Sequence, residues 1–157
     1  MADMNAILET LGAAFAADAD IHSFCDAEYG KPLTVYENCD ARQDPPASAC
    51  PLAIISPMDK HGGLGSKQKE HALGISAVVH DERKETGGDG VVRFVGGRHV
   101  ETLRTRILAA VIAAGLSNLK LVSVDTAYNL IEQFPFVSAN MVLEFHETWT
   151  IGSSPFE

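Results

Sequence analysis

The chain has 157 residues, a hydrophobic fraction of 46% and a formal net charge of −9. That size and composition are those of one globular domain, 1–157, with a core of its own. The acidic balance excludes nucleic-acid binding by a basic surface. The N-terminus MADMNAILET has no basic n-region, and the longest apolar run, Ile107 to Ala114, falls far short of the roughly 20 residues of a membrane span. Neither a secretory signal nor a membrane segment is expected.

Asn5 to Asp18 is predicted to be a helix, since Ile7, Leu8, Leu11, Ala14 and Phe15 recur at spacings of three and four. Asp3 or Asn5 is its expected cap. Asp20 to Tyr29 fits a short helical turn ended by Gly30 and Pro32. Leu33 to Glu37 has the composition of a strand. Asn38 to Ala49 reads as a polar loop around Pro45 and Pro46. Pro51 to Pro57 is a short apolar run bounded by prolines, expected as a buried strand.

Lys60 to Lys69 is glycine-rich and basic but lacks the Gly-Lys-Ser/Thr order of a phosphate loop, so a surface loop is expected. His71 to Glu82 follows as a long strand, with Leu73, Ile75, Ala77 and Val79 in one phase. Asp81 to Gly90 reads as a charged turn, Val91 to Val95 as a short return strand, and Gly96-Gly97 as a break. Arg98 to Ala114 is the strongest helix. Val100, Leu103, Ile107, Leu108, Val111 and Ile112 form its apolar face, and Gly115 with Leu116 closes it.

Leu119 to Thr126 is then a strand. Ala127 to Gln133 is a connection in which Tyr128, Leu130 and Ile131 are expected to be partly buried. Phe134 to Gly152 closes the pattern as the longest strand. Ala139, Met141, Leu143 and Phe145 alternate with Asn140, Val142, Glu144 and His146. Glu147 falls in the apolar phase, which predicts a bulge or an exposed strand end. Ser153 to Glu157 is expected to be a frayed tail. The order of elements predicts an α+β fold: a mostly antiparallel β-sheet, with an N-terminal helix and one main amphipathic helix packed on one face.

The three cysteines, Cys25, Cys39 and Cys50, form no CxxC pair. With His22 they make four candidate zinc ligands, but the close ligand pairs of structural zinc sites are missing, so ordinary thiols are expected. No G-x-S-x-G or H-E-x-x-H pattern occurs, the histidines form no pair at ligand spacing, and Asp81-Glu82 and Glu144/Glu147 read as solvated acids. No catalytic residue, cofactor or metal site is assigned, and the chain is read as a non-enzyme.

The layout resembles the tail-terminator, or tail-completion, proteins of long-tailed bacteriophages and prophages. The resemblance rests on the order of elements: an amphipathic N-terminal helix, the strand Leu33–Glu37, a Pro-containing polar loop and the proline-introduced strand Pro51–Pro57. The long strand His71–Glu82, the main helix Arg98–Ala114, Leu119–Thr126 and the Phe134-Pro135-Phe136 entry into a long last strand complete it. It implies a structural virion protein, assembled in the host cytoplasm, forming a ring of six that caps the head-proximal end of the tail tube. The implied partners are further copies of itself, the tail-tube protein and the head connector, with DNA passing through the lumen without sequence-specific binding. In that setting the residues expected at interfaces are Val142, Thr148 and Thr150 on the outer face of the last strand. His61, Lys67 and Lys69 in one loop, and Arg83 and Lys84 in another, are expected to reach neighbours or the lumen. Two other readings stay open: a neck component of the same fold, and a small α+β domain without ring assembly.

Overall fold

The computed structural model describes residues 3–38, 45–61 and 68–148. The chain order is α1 (Met4–Ala17), α2 (Ala19–Tyr29), β1 (Thr34–Glu37), a 3-10 turn (Ala47–Ala49), β2 (Leu52–His61), β3 (Gln68–His80), β4 (Lys84–Thr86), β5 (Val92–Phe94), α3 (Val95–Ala113), β6 (Leu119–Asn129) and β7 (Phe136–Thr148). Five strands form one sheet in the order β1-β2-β3-β7-β6, and β4-β5 is a separate two-stranded hairpin. Among the described residues only β1 and β2 run parallel, and the other pairs are antiparallel. The fold is α+β, as the sequence predicts.

The sheet is amphipathic by parity. Odd-numbered side chains of β3 (Leu73, Ile75, Ala77, Val79) and β7 (Val137, Ala139, Met141, Leu143, Phe145) are buried. α1 lies over β1 and β2, α3 crosses β3 and β7, and α2 packs on α3. α1 contributes Ile7, Leu8, Leu11 and Phe15, and α3 contributes Val100, Leu103, Ile107 and Val111. Burying one such side chain is worth about 1.5–3 kcal/mol, so this layer holds the helices on the sheet. Asp3 caps α1 by accepting from the Asn5 amide at 3.1 Å. α2 is a helix of three turns rather than a single turn. Asp18 caps it through the Ile21 amide at 2.9 Å, and Gly30 ends it at φ 67°.

Several boundaries differ from the sequence expectation, each for a local physical reason. β2 does not stop at Pro57 but continues to His61, with a bulge at Met58. The carbonyls of Pro51 and Ile55 accept from Thr34 and Asn38 on the β1 side. Pro57 is in the same phase, so its missing N–H falls on the open edge of β2 and costs the β3 ladder nothing. The glycine pair 96–97 does not break the chain; both residues lie inside α3. A Cβ added at Gly96 would sit 3.2 Å from Asp81 Cβ and 3.3 Å from Val137 Cγ2, so the residue is small because the helix presses on the sheet there. Ile112 lies on the open side of α3 and is 66% exposed, not part of the apolar face. Tyr128, Leu130 and Ile131, expected to be partly buried, are exposed.

Glu147 is neither bulged nor at an exposed end. It is 4% exposed, and its carboxylate lies 2.9 Å from His71 Nε2. The bulge sits instead in β6, where the register shifts between Leu121 and Ser123. Asp81, read as a solvated turn acid, is also buried. The Phe134–Pro135 peptide at the entrance to β7 is cis. The 153–157 tail, Cys39 and most of the glycine-rich loop lie outside the described residues.

Candidate functional site

The even-numbered side chains of β3 and β7 form the outer face of the sheet. Among the described residues no helix covers this face. Val142 lies at its centre, half-buried, directly opposite Gly74 on β3 and Asp125 on β6. Ser76 Oγ donates to Asn140 Oδ1 at 2.7 Å beside it. A shallow concavity of about 280 Å³ opens on the same face between Pro45, Ile54, Ser76, Phe136 and Asn140. Towards the end of β7, Glu70, Glu144 and His146 bring one ligand atom each within 4.8 Å of one another.

The sequence-expected interface residues divide between the two ends of the sheet. His61, Lys69 and Thr148 fall at one end, where His61 pairs with Glu70, Lys69 with Glu147, and Thr148 with Gln68 in the backbone register. Lys67 and Thr150 lie outside the described residues. Arg83 and Lys84 fall at the other end, beyond the His80–Phe136 pair. Lys84 is exposed at the start of β4. Arg83 is tied back to its own domain by a two-point contact with Asp81, Nε to Oδ1 at 2.9 Å and Nη2 to Oδ2 at 2.6 Å.

That contact belongs to a polar cluster that sequence reasoning missed. The Tyr29 hydroxyl donates to Asp81 Oδ2 at 3.0 Å and lies 3.0 Å from His99 Nδ1. His99 Nε2 in turn lies 3.3 Å from the Glu28 carboxylate. Burial alone pushes the Asp81 carboxyl up, but the hydrogen bonds from Arg83 and Tyr29 outweigh it and hold the group down at about 2. Burial beside this carboxylate drives the Tyr29 phenol far above its ordinary range. The cluster joins α2, the end of β3, the β4-β5 hairpin and the start of α3. The sequence signal was the Asp-x-Arg spacing directly after a strand.

The cysteines carry no activated thiol among the described residues. Burial pushes Cys25 up to about 11 and raises Cys50 as well, so both keep their protons. Neither belongs to the one group of potential metal ligands found among the described residues.

An exposed apolar groove of about 450 Å³ is the second feature the sequence did not reveal. Phe94, Gly96, Gly97, Leu130, Ile131, Phe134 and Val137 line it. Phe94 and Phe134 meet edge to face across it, with centroids 5.5 Å apart. The groove lies at the Phe136 end of β7, where the β4-β5 hairpin, the start of α3 and the β6–β7 connection converge.

Among the described residues, fold and surface together define an α+β sheet protein with one helix-covered face, one open face and an apolar groove at one end. No family model matches the chain, and no curated protein matches it. Among solved structures it is similar to a chain of the "Virion of native gene transfer agent (GTA) particle". The identity is 15% and the TM-score 0.47, over 90% of this chain and 94% of that chain. Among the described residues no helix is long and apolar enough to cross a membrane.

Proposed function

We propose that the protein is a structural component of a phage or prophage virion, a ring of six copies that caps the head-proximal end of a tail tube. The ring stops tube polymerisation and offers a joining surface to the head connector. The reading begins from the order of elements in the sequence and assigns no catalysis to the chain. The observation that carries it is the pair of unlike open edges on one sheet. Among the described residues, β6 forms one edge over Leu119–Asn129, and no strand pairs with the outer side of β2 beyond Ile55, where β1 ends. An open strand edge is a template for another strand. Two different edges on opposite sides of one sheet suit a head-to-tail contact, the kind that closes into a ring rather than a two-fold dimer. The acidic charge suits a lumen that DNA crosses without adhering.

The test is electron microscopy of the protein mixed with tail-tube subunits under conditions in which tubes grow. Short tubes with a ring at one end are expected. Tubes of unrestricted length beside a protein that stays monomeric would end the proposal. Val142→Asp on the open face is expected to abolish capping while leaving the circular dichroism spectrum unchanged.

A further inference from the structure

Glu70, Glu144 and His146 stand together on the open face of the sheet. Glu70 of β3 and His146 of β7 are direct partners in the backbone register, and Glu144 lies two residues before His146, on the same face of its strand. Two 13-residue strands, not a loop, set their spacing. His146 Nε2 lies 3.2 Å from Glu144 Oε1 and 3.8 Å from Glu70 Oε1. All three ligand atoms fall within 4.8 Å of one another.

The charge at this point is unbalanced. Two carboxylates so close repel each other. Among the described residues neither forms an ion pair with a lysine or arginine; their common partner is His146. A protonated imidazole offsets one of these charges, whereas a divalent cation offsets both. The separations are also those of a coordination shell. A tetrahedral ion with nitrogen and oxygen ligands at about 2.0–2.2 Å holds neighbouring donor atoms about 3.4 Å apart. The two measured distances fall on either side of that value.

A separate feature steers Glu144. In β6 the register passes from Leu121–Phe145 to Ser123–Glu144, so Val122 is skipped. Without that bulge Val122 would stand opposite Glu144. The bulge brings Ser123 there instead, and its hydroxyl donates to Glu144 Oε2 at 3.3 Å. That contact holds one carboxylate oxygen and leaves Oε1 turned towards His146. Holding the second oxygen in this way is how an outer group orients a metal ligand.

We propose that Glu70, Glu144 and His146 bind a divalent transition-metal ion of the zinc class, with water from the open face filling its remaining positions. The imidazole among the donors selects against magnesium and calcium, which favour oxygen ligands throughout. The bound ion ties β3 to β7 near the Thr148 end of the sheet. The proposal goes beyond the virion reading and does not depend on it.

The test is isothermal titration calorimetry of the untagged full-length protein, stripped of metal, with zinc chloride and separately with magnesium chloride. The wild type is expected to bind zinc and to give no heat with magnesium. Glu70→Gln, Glu144→Gln and His146→Gln are each expected to weaken zinc binding by about tenfold or more. Thermal melts serve as the second measurement. Excess zinc is expected to raise the wild-type Tm and to leave that of each variant unchanged. Glu70 is the most exposed of the three, so Glu70→Gln leaves the fold intact and makes the decisive comparison. A wild type that takes up no zinc, a Glu70→Gln variant that binds zinc as tightly as the wild type, or magnesium binding equal to that of zinc would each overturn the proposal.

Discussion

Glu147 on β7 reaches diagonally across to His71 on β3, and the two side chains meet at 2.9 Å inside the apolar layer of the sheet. A carboxylate only accepts, so His71 Nε2 is the donor. The other ring nitrogen, Nδ1, is buried and has no hydrogen-bond partner among the described residues. His71→Leu removes the imidazole donor from the buried Glu147 carboxylate and is expected to cost about 1–3 kcal/mol. Glu147→Leu removes the acceptor of the buried His71 N–H and should cost a similar amount. The double change to leucine should be milder than the sum, because both single changes remove the same contact. Urea denaturation of the four proteins checks this. Full additivity of the two single losses would show that the pair is not coupled.

The Asp81 cluster predicts an acid-sensitive contribution to stability. The folded carboxyl titrates at about 2, below its ordinary 3.8. Its stabilisation is therefore complete above about pH 4 and is lost as pH falls towards 2. A displacement of that size corresponds to roughly 2 kcal/mol. Asp81→Asn should flatten the stability profile between pH 4 and 2, leaving a loss at neutral pH. An Asn variant that keeps the wild-type slope in that window would show that other carboxylates cause it.

Gly96 and Gly97 are neighbours in the same helix with opposite expectations. Gly96→Ala pushes a methyl against Asp81 and Val137 and should destabilise by about 1–3 kcal/mol. At Gly97 the nearest atom to an added Cβ is Leu130 Cδ1 at 4.0 Å. Gly97→Ala should stabilise by about 0.5–1 kcal/mol through helix propensity. Thermal melts of the two variants moving in the same direction would contradict this packing.

α3 offers a similar contrast between faces. Ile107→Ala empties a fully buried site and is expected to cost about 2–5 kcal/mol. Ile112→Lys, on the exposed side, should change stability by no more than about 0.5 kcal/mol. A large loss for Ile112→Lys in the isolated protein would place that face in an interface.

The long strands and the main helix were legible because each has one buried face, which imposes a period of two or 3.6 on the sequence. Leu73 to Val79 and Ala139 to Phe145 carry that period without interruption. The misread positions depend on partners distant in the chain. Glu147 looks out of phase until His71, 76 residues away, stands beside it. Gly96 looks like a helix breaker until Asp81 and Val137 press on it. Pro57 looks like a strand end until the direction of its missing N–H is known. The candidate surfaces were less legible still. Val142 was found through parity, whereas Ile131 and Phe134 were not, because hydrophobic residues in a connection carry no period that says which way they face.

The last strand made among the described residues, β7, is inserted between two strands made before it. β3 and β6, 13 and 11 residues long, both hydrogen-bond to β7 and not to each other. At roughly 5–20 residues per second, a ribosome takes some seconds to pass from the end of β3 to the end of β7. During that interval β1, β2 and β3 have all been made, yet the inner edge of β3 remains open to any extended chain nearby. Synthesis order thus gives the nascent protein a period of vulnerability that the finished sheet conceals, and it makes β7 the strand whose arrival commits the subunit to its fold.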